Sequence, residues 1–467
     1  MAKQKEYFRD KLTTVDEKGK RVWLYPKKPK GRFTNKRKIL AFILLAFLYT
    51  GPFIKVHGEP LLMFNILQRK FIIFGMIFYP QDFHLIVLSF ITLIIFIVLF
   101  TVIYGRIFCG WICPQTIFME FVFRRIEYWI EGDAAAQRRL NKQPMNFEKF
   151  RKKTLKHAIF YLIAFITANT FLAYIIGKDA LFQAYSEGPP ENLKGFIGLL
   201  IFSGVFYFIF AFFREQVCTI ACPYGRLQGV LIDPKTLIVA YDYKRGEPRA
   251  PLAKAVEGEN GDCVDCYACV AVCPTGIDIR NGTQLECINC TACIDACDAT
   301  MERVNKPKGL IRYDSEEGIE KGEHHLFNPR TIAYSAVLVL LLVFVGALFV
   351  MRGDYEATIL RVRGTMYQEV NKDSISNIYN YNLVNKSDKP ISVDMKLENP
   401  HGRIQYIGDK LTVPKGEVGK GTFMIIIPKS ELHSSKVPIV IGLYHNGKRV
   451  EGYKSTFVAP NELDNPK

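Results

Sequence analysis

Three patterns in the amino-acid sequence predict a multidomain membrane protein. Five apolar blocks have the length of transmembrane helices, two runs of cysteines share one spacing, and the last 115 residues hold seven short runs rich in β-branched residues. Together they predict a five-helix transmembrane domain, an α+β insert of the bacterial two-[4Fe–4S] ferredoxin type and a C-terminal immunoglobulin-like β-sandwich.

The predicted domains follow one another along 467 residues. They are a basic cytoplasmic leader at 1–38, a four-helix membrane domain at 39–230, a cytoplasmic linker and ferredoxin domain at 231–330 with its core at 260–305, a fifth transmembrane helix at 331–351, and a periplasmic immunoglobulin-like domain at 353–467. The net charge of +16 would suggest nucleic acid in a soluble protein. Here the basic residues lie beside apolar blocks, so membrane topology explains them and no nucleic-acid partner is expected.

The apolar blocks are the predicted membrane spans. They lie at about 39–56, 84–104, 158–177, 195–213 and 331–351. Roughly 20 apolar residues match the hydrocarbon thickness of a bilayer. The stretch 61–82 is interrupted by Gln68, Arg69 and Lys70 and is predicted to be a hairpin or a re-entrant loop.

The distribution of Lys and Arg predicts the orientation in the bacterial inner membrane. Eleven lie in 105–157 and fourteen in 214–330, against three in 51–83 and two in 178–194. Cytoplasmic loops carry the excess of basic residues. The N-terminus and the ferredoxin insert are therefore expected in the cytoplasm, and five spans place the C-terminal domain in the periplasm.

Two runs of the form C-x2-C-x2-C-x3-C identify the insert. This spacing is that of two-cluster ferredoxins, in which the fourth cysteine of each run binds the other cluster. One [4Fe–4S] cluster is therefore assigned to Cys263, Cys266, Cys269 and Cys297, and the other to Cys287, Cys290, Cys293 and Cys273. Structural zinc also uses C-x2-C but gives no reason for a third cysteine at the same interval. Pro274 follows the first run, whereas Asp298 replaces the second proline.

Two C-x3-C-P motifs form a second thiol set. Each follows the even-numbered span of a two-span unit, so a duplicated unit would bring Cys109, Cys113, Cys218 and Cys222 together at the membrane surface. Cysteines at i and i+4 would share one helical face. Soft thiolates favour Cu(I), zinc or iron–sulfur clusters. Beside an electron-transfer domain, a copper ion is one candidate substrate or ligand, while a structural metal clip or ordinary buried thiols remain alternatives.

Seven short runs predict the strands of the C-terminal sandwich. They are Ala357–Val362, Ile378–Val384, Ile391–Leu397, Arg403–Ile407, Thr422–Ile427, Val437–Tyr444 and Tyr453–Val458. Their spacing and the turn residues between them are typical of an immunoglobulin-type sandwich, without a cysteine pair to join its sheets.

The source of electrons is left open. Transmembrane haem b would need histidines inside the spans, and none lies at mid-depth. No dinucleotide or Walker A motif is recognisable. The donor could be a bound quinol, a soluble protein or a flavin-bearing partner.

Taken together, the motifs resemble the cytochrome c oxidase accessory proteins of the CcoG (FixG/RdxA) type. The resemblance extends over nearly the whole chain and depends on the leader around Lys20–Pro26, on Gly105–Pro114, on Glu215–Arg226, and on the double cysteine run with the C-terminal domain. It implies a membrane cupric reductase that converts Cu(II) to Cu(I) for a cbb-type cytochrome c oxidase, with a copper site at Cys109, Cys113, Cys218 and Cys222. It also implies oxidase subunits, or a copper transporter or chaperone, as partners; a homodimer is one oligomeric state left open.

Two other functions remain open. One is a quinol-linked electron conduit to a periplasmic reductase, although the C-terminal domain has no cysteine to continue an electron path. The other is a non-enzymatic assembly factor whose sandwich docks the oxidase.

Overall fold

Two compact units make up the part of the chain that the structure describes. The structure is a computed structural model, and it describes residues 13–16, 18–56, 58–66, 70–78, 82–188, 190, 192–251, 253, 259–322, 329–351, 353, 355–362, 364, 366–386, 390–408, 412–445 and 447–460. The first unit holds the described residues of 1–54, 60–68 and 84–346, and the second those of 55–59, 69–83 and 347–467.

Four described helices are long and apolar enough to cross a membrane. They are Phe83–Tyr104, Phe147–Ile176, Leu193–Phe213 and Thr331–Val350. They correspond to the second to fifth predicted spans. The helix at Phe147–Ile176 starts well before the predicted 158, because Asn146 caps its first turn by accepting a hydrogen bond from Lys149 N at 2.8 Å. Hydropathy locates the apolar part of this helix, whereas the cap sets where it begins.

The predicted span at 39–56 is not among these four helices, so five spans are not established. The helix here is Arg32–Thr50, and Gly51 and Pro52 begin a 3₁₀ turn that ends it six residues early. Lys36, Arg37 and Lys38 lie in its first two turns. The apolar part that follows is about 18 Å long at 1.5 Å per residue, which is short of the roughly 30 Å hydrocarbon core.

Short helices join the spans and carry the two C-x3-C-P motifs. They are Ile107–Trp111, Pro114–Ile117, a π-helical segment Phe118–Phe123, Arg124–Ile130, Ala134–Lys142, Lys178–Glu187, a π-helical segment Val217–Ala221 and Pro223–Leu231. The helix Leu193–Phe208 also ends in a π-helical turn, Ile209–Phe213.

The cysteine-rich segment folds on a two-stranded antiparallel sheet. Strand Ile238–Tyr241 pairs with strand Ile311–Asp314, although the whole segment 242–310 lies between them in the chain. The helices between and after them are Tyr243–Gly246, Ala268–Ala271, Ala292–Arg303 and Glu316–Lys321, with a 3₁₀ turn at Ile279–Asn281. Their apolar side chains form a buried core that includes Cys263 and Cys297, together with Val239, Ile294 and Met301.

The C-terminal residues form the β-sandwich that the sequence predicts. One sheet has the strand order Arg403–Ile407, Val418–Pro428, Ser374–Asn385 and Tyr355–Arg361, with Gln368–Asn371 also paired to Ser374–Asn385. The facing sheet has the order Asp394–Asn399, Lys436–His445 and Lys448–Val458, and Ile391–Ser392 pairs with Thr412–Val413. All seven predicted runs are strands; Gln368–Asn371 and Thr412–Val413 are additional. The buried core includes Tyr379 stacked on Phe423, with ring centroids 5.7 Å apart.

The stretch between the first two helices contains strands. They are Lys55–Val56, Glu59–Pro60, Leu62–Asn65, Lys70–Ile73 and Met76–Phe78. Lys70–Ile73 and Met76–Phe78 form a hairpin in which Phe71 lies opposite Phe78. Of the two predictions for 61–82, the hairpin therefore describes these residues.

Candidate functional site

The first cysteine cavity brings together residues from both cysteine runs. Cys263, Cys266 and Cys269 from the first run and Cys297 from the second line it, together with apolar side chains of the ferredoxin core. Cys297 reaches the cavity because helix Ala292–Arg303 packs on helix Ala268–Ala271. This is the crossed set of thiols that the spacing predicts for one [4Fe–4S] cluster.

The second cavity holds the complementary set. Cys287, Cys290 and Cys293 line it with Cys273, and Cys269 lies in the wall of both cavities. The two sets are therefore neighbours, separated by one cysteine side chain. Four thiols around an otherwise apolar cavity fit an iron–sulfur cluster, whose irons each take one thiolate.

The two cysteine loops repeat one backbone conformation. In the first, Asp265 and Tyr267 on either side of Cys266 have φ values of 47° and 54°. In the second, Asn289 and Thr291 on either side of Cys290 have φ values of 51° and 61°. Left-handed conformations cost energy for residues other than glycine, and are least unfavourable for Asn and Asp. The same strained turn at matching positions indicates that both loops are shaped to wrap the same kind of group.

The arrangement of the thiols distinguishes clusters from single ions. Among the residues that the structure describes, no three His, Cys, Asp or Glu side chains are placed to hold one metal ion. A structural zinc site would require four ligands converging on one point. A [4Fe–4S] cluster instead takes one thiolate at each iron, so thiols spread around a cavity suit it.

Burial differs between the two cavities. Cys266 is exposed, and its neighbour Tyr267 is 55% exposed, so the first cavity borders solvent. None of the second set of cysteines is exposed. In both cavities burial raises the pKa of thiols, to about 12 for Cys297 in the first and to about 12 for Cys287 and about 11 for Cys290 in the second. Metal binding must displace these protons, because the thiolate is the ligand.

Two aspartates of helix Ala292–Arg303 have structural roles that spacing alone does not reveal. Asp298 accepts a hydrogen bond from Gly309 N at 3.0 Å, so the residue that replaces the expected proline fixes the next loop. Asp295 accepts hydrogen bonds from Phe33 N at 3.0 Å and Thr34 N at 2.7 Å, which caps the helix Arg32–Thr50. Gly31 is required there: a Cβ would lie 2.3 Å from the Asp295 side chain.

The two C-x3-C-P motifs also share one geometry. Cys113 N donates to Phe108 O at 2.9 Å, and Cys222 N donates to Val217 O at 2.8 Å, a five-residue bond in each case. The following proline then begins a new helix. The prediction that each pair lies on one continuous helical face is wrong, because a residue before proline is driven from helical to extended backbone. Cys113 and Cys222 are extended and lie between two helices.

The four thiols of these motifs cluster as predicted. Burial raises the pKa of Cys218 to about 12, and the charges of Cys113, Cys109 and Cys222 add to the effect. Burial also raises the pKa of Cys109 to about 12, and the charge of Cys113 is the next largest cause. Thiols that influence one another in this way are near neighbours, although no three of them are placed to bind a single ion.

Polar residues that the sequence analysis missed surround Cys109. Its Sγ lies 3.1 Å from Oε1 of Gln228, which is fully buried on the helix that follows the second motif. Thr101 lies 3.5 Å from Gln228 Nε2 and 3.1 Å from the Tyr224 hydroxyl. A glutamine six residues after Cys222 is the sequence feature that could have indicated this contact.

The first motif packs directly against the second cysteine cavity. Cys109 contacts the buried cluster of Val272, Ile288, Cys290 and Ala292. Gly110 lies so close to the Ile288 carbonyl that a Cβ would be 2.4 Å from its oxygen. Cys109 of the first motif therefore adjoins the thiols of the second cavity.

Buried ion pairs fix the second motif beside the cysteine-rich segment. Arg214 binds Glu127 through two hydrogen bonds of 2.8 and 2.9 Å. Arg124 pairs with Glu120 and, at 3.3 Å, with Glu215, and it also donates to Pro274 O at 3.1 Å. Pro274 directly follows Cys273, so this network joins the cysteine-rich segment to the membrane helices.

Three family models match the chain. A 4Fe–4S dicluster domain matches residues 213–316, a 4Fe–4S binding domain matches 86–134, and the IG-like fold at the C-terminus of FixG matches 345–460. The first range contains all eight cysteines of the double run. The second contains Cys109 and Cys113.

Curated relatives are similar over most of the chain. Protein RdxB of Cereibacter sphaeroides is 33% identical over 433 residues, covering 86% of this chain and 90% of RdxB. Protein RdxA of the same organism is 35% identical over 382 residues, covering 79% and 80%. Nitrogen fixation protein FixG of Rhizobium meliloti is 35% identical over 304 residues, covering 63% and 57%. The crystal structure of a FixG-related protein from Vibrio parahaemolyticus is 20% identical, covers 23% of this chain and 97% of its own, and has a TM-score of 0.19.

Proposed function

Because this chain belongs to the FixG family of iron–sulfur membrane proteins, we propose that it is an oxidoreductase that reduces Cu(II) to Cu(I) at its membrane-face thiols. The contact of Cys109 with the buried cluster around Cys290 carries the proposal, since it joins the electron-transfer segment to a set of soft ligands. Each copper ion takes one electron. Thiolates favour the step because they bind Cu(I) better than Cu(II).

Each cavity would hold one cluster, bound by the four cysteines assigned to it. One [4Fe–4S] cluster takes Cys263, Cys266, Cys269 and Cys297, and the other takes Cys273, Cys287, Cys290 and Cys293. The clusters supply one-electron storage when bound. The chain contributes the two cavities, the shared wall at Cys269, and the packing of Cys109 on the second set.

The product would serve assembly of a cbb-type cytochrome c oxidase. The oxidase subunits, or a copper transporter or chaperone, would receive Cu(I), and the electron donor remains to be identified. The sandwich offers sheet surface for docking and holds no cysteine. A homodimer is compatible with this role.

The proposed topology is five crossings of the bacterial inner membrane. Although helix Arg32–Thr50 has a short apolar part, its end lies beside Tyr174, near the end of the long spanning helix Phe147–Ile176. The Tyr174 hydroxyl donates to Leu48 O at 3.0 Å. The first helix therefore extends along its neighbour to the same level. With the basic residues inside, the ferredoxin segment is cytoplasmic and the sandwich periplasmic.

Anaerobic reduction of Cu(II) by the purified, cluster-loaded protein tests the function. A chromogenic chelator traps Cu(I) while EPR follows the clusters. We expect one Cu(I) for each electron that the clusters lose. Reduced clusters that stay reduced in the presence of Cu(II) would exclude cupric reductase activity.

A quinol-linked electron conduit is the second candidate, and one cavity favours it. A space of about 550 Å³ lies between the first helix, the helix Phe147–Ile176 and the first motif. Its wall includes Phe108, Ile112 and Pro114 of that motif and is otherwise apolar except for Tyr174. An apolar space of this size suits a drug-sized ligand or an isoprenoid chain. Quinol-dependent reduction of the clusters, lost in Leu48→Trp and retained in the membrane-facing control Ile43→Trp, would support it.

A further inference from the structure

Two buried arginines lie beside the second cysteine cavity without a carboxylate partner. Arg37 is 2% exposed and Arg106 is 4% exposed. Arg37 Nε donates to Gly110 O at 3.0 Å, and Arg106 donates to Leu285 O and Gly225 O. Within the described residues neither side chain forms an ion pair. A buried charge without a counter-ion is costly, so an anion is expected close by.

Three N–H groups in this region have no hydrogen-bond partner. They belong to Arg37 Nη2, Arg106 Nε and Asn289 Nδ2, all buried. Asn289 lies between Cys287 and Cys290, the two cysteines of the second loop that line the cavity. Buried donors are almost always satisfied. A thiolate-bound [4Fe–4S] cluster is an anion with sulfur acceptors, and it would meet both requirements.

Both arginines reach the loop that carries Cys287 and Cys290. Arg37 binds the Gly110 carbonyl, and Gly110 packs tightly against the backbone of Ile288 and Asn289. Arg106 donates to the Leu285 carbonyl, two residues before Cys287. Each arginine therefore brings a positive charge close to the second set of cysteines.

The first cavity has compensated charges instead. Arg280 lines it but donates to Asp278 through Nη2 at 2.6 Å and pairs with Asp265 at 2.5 Å. Asp298, next to Cys297, adds a third carboxylate on this side. Arg280 is therefore paired with carboxylates, whereas Arg37 and Arg106 bind only carbonyl oxygens.

We propose that Arg37 and Arg106 give the cluster held by Cys273, Cys287, Cys290 and Cys293 a higher reduction potential than the cluster held by Cys263, Cys266, Cys269 and Cys297. Reduction adds one negative charge to a cluster, which nearby positive charge and N–H donors stabilise; net charge and hydrogen bonds to sulfur are established determinants of cluster potential. The two arginines are therefore positioning and tuning residues for electron transfer.

The potential difference sets a direction. With both clusters bound, one electron would pass from the cluster of the first cavity, oxidising it, to the cluster of the second cavity, reducing it; no bond would be made or broken and no proton would move. Cys109 packs against the second set of cysteines, where this electron would reside. Transfer of this electron through the thiols of the C-x3-C-P motifs to copper rests on the proposed function. The order of the two potentials does not depend on it.

EPR-monitored redox titration of the wild-type protein, without copper, is the first test. We expect two one-electron steps. Cys266→Ser should perturb the signal that appears at the lower potential, and Cys293→Ser the signal that appears at the higher. The reverse assignment, or two equal potentials, would overturn the proposal whether or not any arginine variant folds.

Arginine variants then test the cause. Arg37→Gln and Arg106→Gln should each lower the equilibrium constant for reducing the second cluster by about tenfold or more, where tenfold corresponds to 59 mV for one electron. The first cluster should be unchanged, and Arg37→Lys should restore most of the shift because it keeps the charge.

Arg125→Gln is the matched control. Arg37 and Arg125 stack on the same ring, with guanidinium carbons 5.2 and 5.9 Å from the centroid of Phe121. Arg125 is partly exposed, so solvent screens its charge, and neither potential should move. A specific role for Arg37 would be contradicted if Arg37→Gln shifted the reduction potentials of both clusters equally. It would also be contradicted if Arg125→Gln shifted a potential as much as Arg37→Gln does. If the two potentials have the expected order but Cu(II) is not reduced, the proposed function is wrong while the proposed role of the arginines stands.

Discussion

The Asp295 carboxylate accepts two hydrogen bonds of 2.7 Å from Thr34, one from its backbone N–H and one from its hydroxyl. Asp295 lies between the last two cysteines of the double run, and Thr34 lies in the first turn of the helix Arg32–Thr50. A buried carboxylate at a helix N-terminus satisfies free N–H groups and complements the helix dipole. Asp295 thus helps to dock the cysteine-rich segment on the helix Arg32–Thr50, where Phe33 also packs on Tyr313.

Asp295→Ala should loosen this docking. It leaves the Thr34 N–H and hydroxyl and the Phe33 N–H buried without acceptors, at about 1–3 kcal/mol for each unsatisfied group. We expect a lower midpoint for the thermal loss of cluster absorbance. Asp298→Ala is the control, because it removes one bond, to Gly309 N, in a partly exposed loop. An effect of Asp298→Ala as large as that of Asp295→Ala would contradict the docking role.

The thiol site should be separable from the clusters. Cys109→Ser with Cys222→Ser removes one soft ligand from each motif, so copper reduction should be lost while the cluster EPR signals persist. Thr219→Ala, next to Cys218, is the control that keeps all four thiols. Activity retained in the double variant would place copper reduction elsewhere.

The crossing of the fourth cysteines gives a further prediction. Cys297→Ser should alter the same EPR signal as Cys263→Ser, and Cys273→Ser the same signal as Cys287→Ser, because the cavities group them in this way. Serine can remain a weaker ligand, so a changed signal rather than a lost one is the expected result. If Cys297→Ser instead altered the EPR signal that Cys287→Ser alters, each run of cysteines would bind its own cluster.

The number of crossings decides which side of the membrane the N-terminus shares. One helix, Thr331–Val350, separates the ferredoxin segment from residues 353–467, so we expect these two on opposite sides with either count. Five crossings put the N-terminus on the side of the ferredoxin segment, whereas four, with the first helix re-entering, put it on the side of the sandwich. A reporter active only in the periplasm should be active when fused after the sandwich and inactive when fused within the ferredoxin segment or at the N-terminus. Activity both at the N-terminus and after the sandwich would favour four crossings.

The sandwich should unfold independently of the clusters. Phe423 is fully buried and stacks on Tyr379, so Phe423→Ala should cost about 3–5 kcal/mol and lower the melting temperature of the β-domain. Ile407→Ala, at a side chain that is 51% exposed, should change it little. Cluster absorbance should be unaffected in both, and loss of clusters in Phe423→Ala would show that the two units are coupled.

The sequence by itself determined which kinds of domain the chain contains. The spacing of eight cysteines predicted a two-cluster ferredoxin because that ligand pattern is local, and the family comparisons confirm iron–sulfur domains. Runs of β-branched residues located seven strands because alternation along a strand is also local. Neighbouring residues carry both kinds of information, so both are visible without a structure.

Only the tertiary structure decided which residues from distant parts of the chain lie next to one another. Helix Arg32–Thr50 looked like a span from hydropathy, but Gly51–Pro52 and three basic residues shorten its apolar part. The extended backbone of Cys113 and Cys222 follows from the proline after each, which the helical-face argument ignored. The contact of Gln228 with Cys109 and the burial of Arg37 and Arg106 join residues 70 to 180 positions apart. Such contacts depend on how helices pack, and no local pattern encodes them.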